Sequence, residues 1–118
     1  MSAQNKAKIE ELNKMVLSGK ALEAFELFYA DAVVMQENDQ PPTVGKEANR
    51  VREIAALGGI VAFRNAQVLA VAEAGDKTIV EWFNDFTHKD YGERKFHQVA
   101  VQTWHDGKIV HERFYYGT

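Results

Sequence analysis

The sequence predicts an α+β domain in which three N-terminal helices cover one face of a curved antiparallel sheet. Three observations lead there. Apolar residues recur at helical period over the first half of the chain and at strand period over the second, and glycine-bearing turns divide that second half into hairpins.

Ile9, Leu12 and Val16 lie three and four apart, on one face of a first amphipathic helix, and Ser18-Gly19 supplies its end. A second helix carries Leu22, Phe25 and either Phe28 or Tyr29 as its apolar stripe. Ala32-Val33-Val34-Met35 turns β-branched and reads as a short strand. Asn38-Asp39-Gln40-Pro41-Pro42 ends it, because proline cannot donate to a sheet ladder. Gly45-Lys46-Glu47 opens a third helix to about Leu57, with Val51, Ile54 and Leu57 expected inward, and Gly58-Gly59 closes it.

From Ile60 onward the turns are Ala74-Gly75-Asp76-Lys77, Lys89-Asp90-Tyr91-Gly92-Glu93 and His105-Asp106-Gly107-Lys108. Each offers glycine where a tight hairpin needs positive φ. They leave four long strands at roughly 61–73, 78–88, 93–104 and 109–116. No repeat, low-complexity segment or linker interrupts the chain, so residues 1–118 read as one domain.

Composition narrows the function classes. A chain of 118 residues is too short for two lobes around a cleft, and 46% hydrophobic content supplies one core. Without cysteine there is no disulfide, thiolate nucleophile or zinc–thiolate site. Fourteen basic against 17 acidic residues give no footprint for duplex nucleic acid. No apolar run is long enough to span a bilayer, and Met1-Ser2-Ala3-Gln4-Asn5-Lys6 lacks the apolar stretch of a signal peptide. A soluble protein of the cytoplasm is expected.

Three local signatures carry a family resemblance. Phe28-Tyr29-Ala30-Asp31-Ala32-Val33-Val34 resembles an "F-x-x-D-A-x-V" helix-to-strand entry. Gly45-Lys46-Glu47-Ala48 resembles a "G-x-x-A" helix start, and Trp104-His105-Asp106-Gly107-Lys108-Ile109-Val110 a terminal hairpin. Together with the α-α-β-α-β-β-β-β order they are similar to the NTF2-like (cystatin-like α+β) superfamily, and within it to the SnoaL-like proteins. The resemblance implies a cone, a strongly bent sheet and three helices enclosing a pocket, commonly dimeric through the outer sheet face. It implies no single reaction, since members include isomerases, cyclases, epoxide hydrolases, dehydratases and proteins that only bind.

The ketosteroid isomerases of that superfamily offer a direct check. Their general base falls on Gln36 here, their oxyanion-hole tyrosine on Leu12, and their protonated aspartate on or next to Ala100. An amide takes no proton, and leucine and alanine donate no hydrogen bond, so that mechanism is vacant.

Strand parity indicates what lines the interior. A three-residue His105-Asp106-Gly107 loop would pair Trp104 with Lys108 and put even-numbered residues of the last two strands on one face. That face holds Gln98, Ala100, Gln102 and Trp104 opposite Val110, Glu112, Phe114 and Tyr116, and the resemblance turns it into the cone. A two-residue Asp106-Gly107 turn would slip the register and reverse part of the assignment. Among the inward set Glu112 stands out. Burial would raise its pKa towards neutrality, which suits a general acid or base, while bridging to Gln98, Gln102 or water is the structural alternative.

On the strand 78–88, a three-residue loop after it puts Val80, Trp82, Asn84 and Phe86 inside, and a two-residue loop puts Glu81, Phe83 and Asp85 there. The first is favoured. Gln36 is expected inward by its match to the isomerase base, with Glu37 pointing away or on the rim. Glu112 is thus the candidate catalytic residue, and Gln36, Trp82, Asn84, Gln98, Gln102, Phe114 and Tyr116 are candidate ligand contacts.

The four histidines show no HxH or HExxH spacing, and neither a GxGxxG nor a P-loop is present, so no metal and no cofactor is expected. Val99, Val101, Ile109 and Tyr115 on the outer face are expected to form a homodimer interface. Three functions stay open: an enzyme moving a proton on a small, largely apolar molecule, a non-catalytic binder of such a molecule, and a protein-interaction module.

Overall fold

The computed structural model describes residues 2–117. Its elements are α1 (Ser2–Leu17), α2 (Ala21–Phe28), β1 (Tyr29–Glu37), β2 (Thr43–Val44), α3 (Lys46–Gly58), β3 (Ile60–Ala74), β4 (Lys77–His88), β5 (Gly92–His105) and β6 (Lys108–Tyr116). The six strands form one curved, unclosed sheet in the order β2-β1-β6-β5-β4-β3. Its ladders are antiparallel except for β1 on β6, which is parallel, so the first strand closes against the last. The three helices and the bent sheet match the architecture read from the sequence. The two-residue β2 is an addition, pairing Val34 with Val44 and Met35 with Thr43 just after the prolines.

The helices α1 and α2 pack on the hairpin end of the concave face. Ile9 and Leu12 of α1, and Ala24, Phe25 and Phe28 of α2, form the core with Val33, Val80, Trp104 and Ile109. Asn13 of α1 is also buried, beside a cleft of about 210 Å³ bordered by Val68 and Val71. Neither polar atom of its amide finds a partner among the described residues. A buried amide without partners costs roughly 1–3 kcal/mol. Asn13→Leu, nearly the same shape, is therefore expected to stabilise the protein by about 1–2 kcal/mol, a rise of roughly 5 °C in thermal midpoint. An unchanged or lower midpoint would show that the amide is satisfied in solution.

The helix α3 is rotated from its expected orientation. Val51, Ile54 and Leu57 were expected inward, yet they are 61%, 52% and 36% exposed, and Asn49 is the buried residue. Hydrogen bonding explains the rotation. The Asn49 amide donates to the carbonyls of Gly45 at 2.8 Å, Thr43 at 3.0 Å and Val33 at 3.4 Å. Lys46 donates to the carbonyls of Glu26 at 2.9 Å and Tyr29 at 2.8 Å. These contacts tie α3 to β1, to the loop that precedes the helix and to the end of α2, and they leave the aliphatic stripe outside.

The last hairpin also departs from expectation. His105 pairs with Lys108 across a two-residue turn in which Asp106 (φ 50°) and Gly107 (φ 78°) both take positive φ. Trp104 consequently faces Ile109, not Lys108. The register then shifts between Trp104 and Thr103, which leaves Val110 as an extra residue on β6. That bulge restores the parity: Gln102 pairs with Glu112, Ala100 with Phe114 and Gln98 with Tyr116. The inward set survives, with Ile109 replacing Val110 as its first member and leaving the outer face. Trp82 pairs with Gln98 and Asn84 with Phe96, so β4 turns Val80, Trp82, Asn84 and Phe86 inward, and Glu81, Phe83 and Asp85 outward.

Candidate functional site

The polar centre of the concave face is a run of hydrogen bonds across four strands. Trp104 Nε1 donates to Thr78 Oγ1 at 2.9 Å, and the Thr78 hydroxyl donates to Gln102 Oε1 at 2.7 Å. Gln102 Nε2 donates to Glu112 Oε2 at 2.8 Å, and the Tyr29 hydroxyl donates to Glu112 Oε1 at 2.5 Å. All five residues are buried. The direction of the run follows from its first member. An indole is a donor only, so it occupies the Thr78 oxygen and sends the Thr78 hydrogen to the Gln102 carbonyl. The Gln102 amide nitrogen must then face Glu112.

Burial pushes the Glu112 carboxyl up to about 7, against the opposing pull of the Gln102 and Tyr29 hydrogen bonds, and the nearby Glu53 charge adds to the rise. Burial and the Glu112 charge raise the Tyr29 phenol well above its usual value, so it stays a neutral hydroxyl. When Glu112 takes a proton, that proton cannot point at the Gln102 amide, itself a donor. It therefore sits on Oε1, and the Tyr29 hydroxyl must reverse to accept it. The site thus links the charge of Glu112 to the direction of one hydroxyl.

Tyr29 and Glu53 were not singled out from the sequence. Tyr29 was expected on the second helix but opens β1, its ring stacked on Phe25 at 4.8 Å. Glu53 lies one helical turn after Asn49 on α3, and burial together with the Glu37 charge raises its pKa. Spaced opposite Val51 and Ile54, Asn49 and Glu53 read as a solvent face, so the helical pattern pointed away from them.

The other candidates fall into two groups. Trp82, Asn84, Gln98, Phe114 and Tyr116 share the inward face and are half-buried, leaving the concave surface beyond Glu112 partly open. Asn84 Nδ2 donates to Gln98 Oε1 at 3.3 Å, and the Tyr116 hydroxyl donates to Glu37 Oε1 at 2.6 Å. Gln36 does not join them. Met35 pairs with Glu112 on β6 and is buried, whereas Gln36 pairs with Arg113 and donates to the Gln40 carbonyl at 3.0 Å. The parallel β1–β6 pairing fixes this parity, and Glu37 is the residue turned inward.

Among the described residues, no group of three or more His, Asp or Glu side chains is placed to hold a metal ion, and no helix is long and apolar enough to cross a membrane. A depression of about 700 Å³ at the hairpin end, bordered by Asn5, Lys8, Asp76, Trp104 and Asp106, does not have Glu112 or Tyr29 in its wall.

The sequence profile of the SnoaL-like domain matches residues 9–112. The chain belongs to the SnoaL-like domain family. No curated protein sequence matches it significantly. Among solved structures, the SnoaL-like chain is similar to a Mesorhizobium loti protein provisionally described as a SnoaL-like polyketide cyclase [carbohydrate phosphatase]. That match has 25% identity and a TM-score of 0.76 and covers 98% of this chain and 100% of the other. An NTF2-like protein of unknown function from Burkholderia xenovorans LB400 matches at 19% identity and TM-score 0.73, over 94% of this chain and 84% of its own. A Mycobacterium tuberculosis epoxide hydrolase described as LEH-like matches at 17% identity and TM-score 0.75, over 98% and 84%. These likenesses agree on the bent-sheet fold.

Proposed function

We propose that this SnoaL-like protein binds a small, largely apolar molecule against its concave face and exchanges a proton with it from Glu112 through the Tyr29 hydroxyl. The observation that carries the reading is a buried carboxyl lifted to about 7 and joined at 2.5 Å to a hydroxyl able to donate in either direction. An acid near neutrality loses and regains its proton at little cost, which is what acid–base catalysis requires. Trp82, Phe114 and Tyr116 supply apolar surface, and Asn84 and Gln98 supply amides to orient a polar group.

The second reading, binding without chemistry, is favoured by one detail: both Glu112 oxygens already have internal partners. We also propose a homodimer through the outer sheet face, where Ile79, Phe83, Val99 and Val101 are half-buried and Tyr115 is exposed.

Native mass spectrometry of freshly purified protein tests these together. The expected species is a dimer of the 13.3 kDa chain carrying a small adduct. The recovered molecule is then incubated with wild-type protein and with Glu112→Gln. The catalytic reading expects conversion by wild type and intact binding without conversion by the variant. A ligand unchanged by wild type establishes the binding reading, and a bare monomer counts against the dimer.

A further inference from the structure

The chain has five arginines, and four of them face carboxylates. Arg50 reaches Glu26 at 2.5 Å, Arg52 reaches Glu37 at 3.0 Å, Arg64 reaches Asp85 at 2.7 Å and Arg113 reaches Asp39 at 2.7 Å. Arg94 is the exception. It pairs across the ladder with Phe86, so it lies on the inward face near the β4–β5 turn, and it is half-buried. Its guanidinium sits over the Phe96 ring, 4.8 Å from the centroid, and 6.0 Å from that of Tyr116. Among the described residues no carboxylate lies within ion-pairing distance of it. Glu37, an acid on the inward face, is already held by Arg52 and by the Tyr116 hydroxyl.

The ring contacts hold the guanidinium carbon beside two aromatic rings. Phe96 stands edge-on to Phe86 at 6.1 Å and tilted on Tyr116 at 5.5 Å, forming an aromatic wall next to the cation. A guanidinium held against aromatic faces keeps its N–H fork free for a planar oxyanion, and partial desolvation strengthens that bond. We infer that Arg94 is the anion-recognising residue of the concave face, and that the ligand is an apolar organic anion. Its carboxylate or similar oxyanion docks on Arg94 near the β4–β5 turn while its body extends along Phe96, Trp82 and Phe114 towards Tyr29. The inference rests on the proposed use of the concave face for binding and adds the charge of what binds there.

Two fluorescent probes that differ by one anionic group test it: 8-anilinonaphthalene-1-sulfonate and its neutral parent, N-phenyl-1-naphthylamine. Titrations compare wild type, Arg94→Met and Lys95→Met, the last removing an equal charge from the opposite face of the same strand. The expected result is about a tenfold loss of sulfonate affinity in Arg94→Met, unchanged affinity for the neutral probe, and little effect of Lys95→Met. Equal loss for both probes, equal loss in the two variants, or no loss in either overturns the role of Arg94 and leaves the binding face standing. Failure of the neutral probe to bind wild type overturns the binding face itself, and the inference with it.

Discussion

Replacing Glu112 by Gln is expected to reverse the sign of the stability difference from wild type between pH 5 and pH 8. The folded-state pKa of Glu112 is raised from its ordinary 4.5 to about 7. Between those values the native protein keeps a proton that the unfolded chain has released. The unfolded state binds fewer protons there, so stability falls as pH rises through the window and stays lower above it. The full difference is about 3 kcal/mol, at roughly 1.4 kcal/mol for each pH unit separating the two pKa values.

Gln at this position does not titrate, so the variant escapes the loss. It has its own cost: with the Tyr29 hydroxyl reversed as for the protonated acid, one amide hydrogen at the Oε1 position finds an acceptor, but the second has none. That mismatch is worth about 1–2 kcal/mol. The variant is therefore expected to be less stable than wild type at pH 5 and more stable, by about 1 kcal/mol, at pH 8. Urea unfolding midpoints at the two pH values measure it. Glu53 is raised in the same direction but is common to both proteins and cancels in the comparison. Parallel pH profiles would show that the buried carboxyl is not the group titrating.

Gly59→Ala is expected to be the most damaging small substitution outside the core, at about 3 kcal/mol, from overpacking plus the loss of one buried hydrogen bond. A Cβ at Gly59 would lie 2.1 Å from Nε2 and 2.3 Å from Cε1 of His88. The backbone there, φ −87° and ψ −7°, suits any residue, so the cost is steric. His88 cannot simply move aside. Its Nδ1 accepts from the Asp90 N–H at 3.1 Å, which leaves Nε2 to donate to the Ala56 carbonyl at 3.1 Å. Its ring also stacks on Tyr91 at 4.5 Å. This clamp ties the end of α3 to the β4–β5 turn. Gly58→Ala is the control, because a Cβ there meets nothing within 4 Å and alanine favours a helix over glycine. Thermal unfolding should separate the two variants by well over 5 °C. Equal midpoints would remove the clamp from the account.

Where the sequence was read correctly, the determinants were local. Spacing alone located α1 and α2, and Gly75, Gly92 and Gly107 marked the hairpins. A glutamate and two glutamines alternating with apolar residues were legible as an interior polar set, because strand parity depends on near neighbours. What stayed hidden depends on partners far along the chain. The rotation of α3 is decided by carbonyls of Val33 and Thr43, and no period within the helix reports them. The opposite facing of Met35 and Gln36 follows from a parallel partner more than 70 residues later. Tyr29 looks like the last apolar residue of a helix until β6 arrives beside it with Glu112. Arg94 was invisible for a different reason: its significance lies in the pairing of the other four arginines, which only the folded chain displays.

The bulge at Val110 has an evolutionary corollary. Without Val110, Ile109 opposite Trp104, His111 opposite Thr103 and Glu112 opposite Gln102 would run as one unbroken ladder, so the bulge is a place where one residue can be lost without turning β6 over. Glu112, Phe114 and Tyr116 would stay inside and His111, Arg113 and Tyr115 outside. A lineage could thus lose one codon between Ile109 and Glu112 and keep the whole lining of this strand. Alignments that slide a gap freely through this hairpin would pair residues from opposite faces, and homology of position would then be mistaken for homology of role.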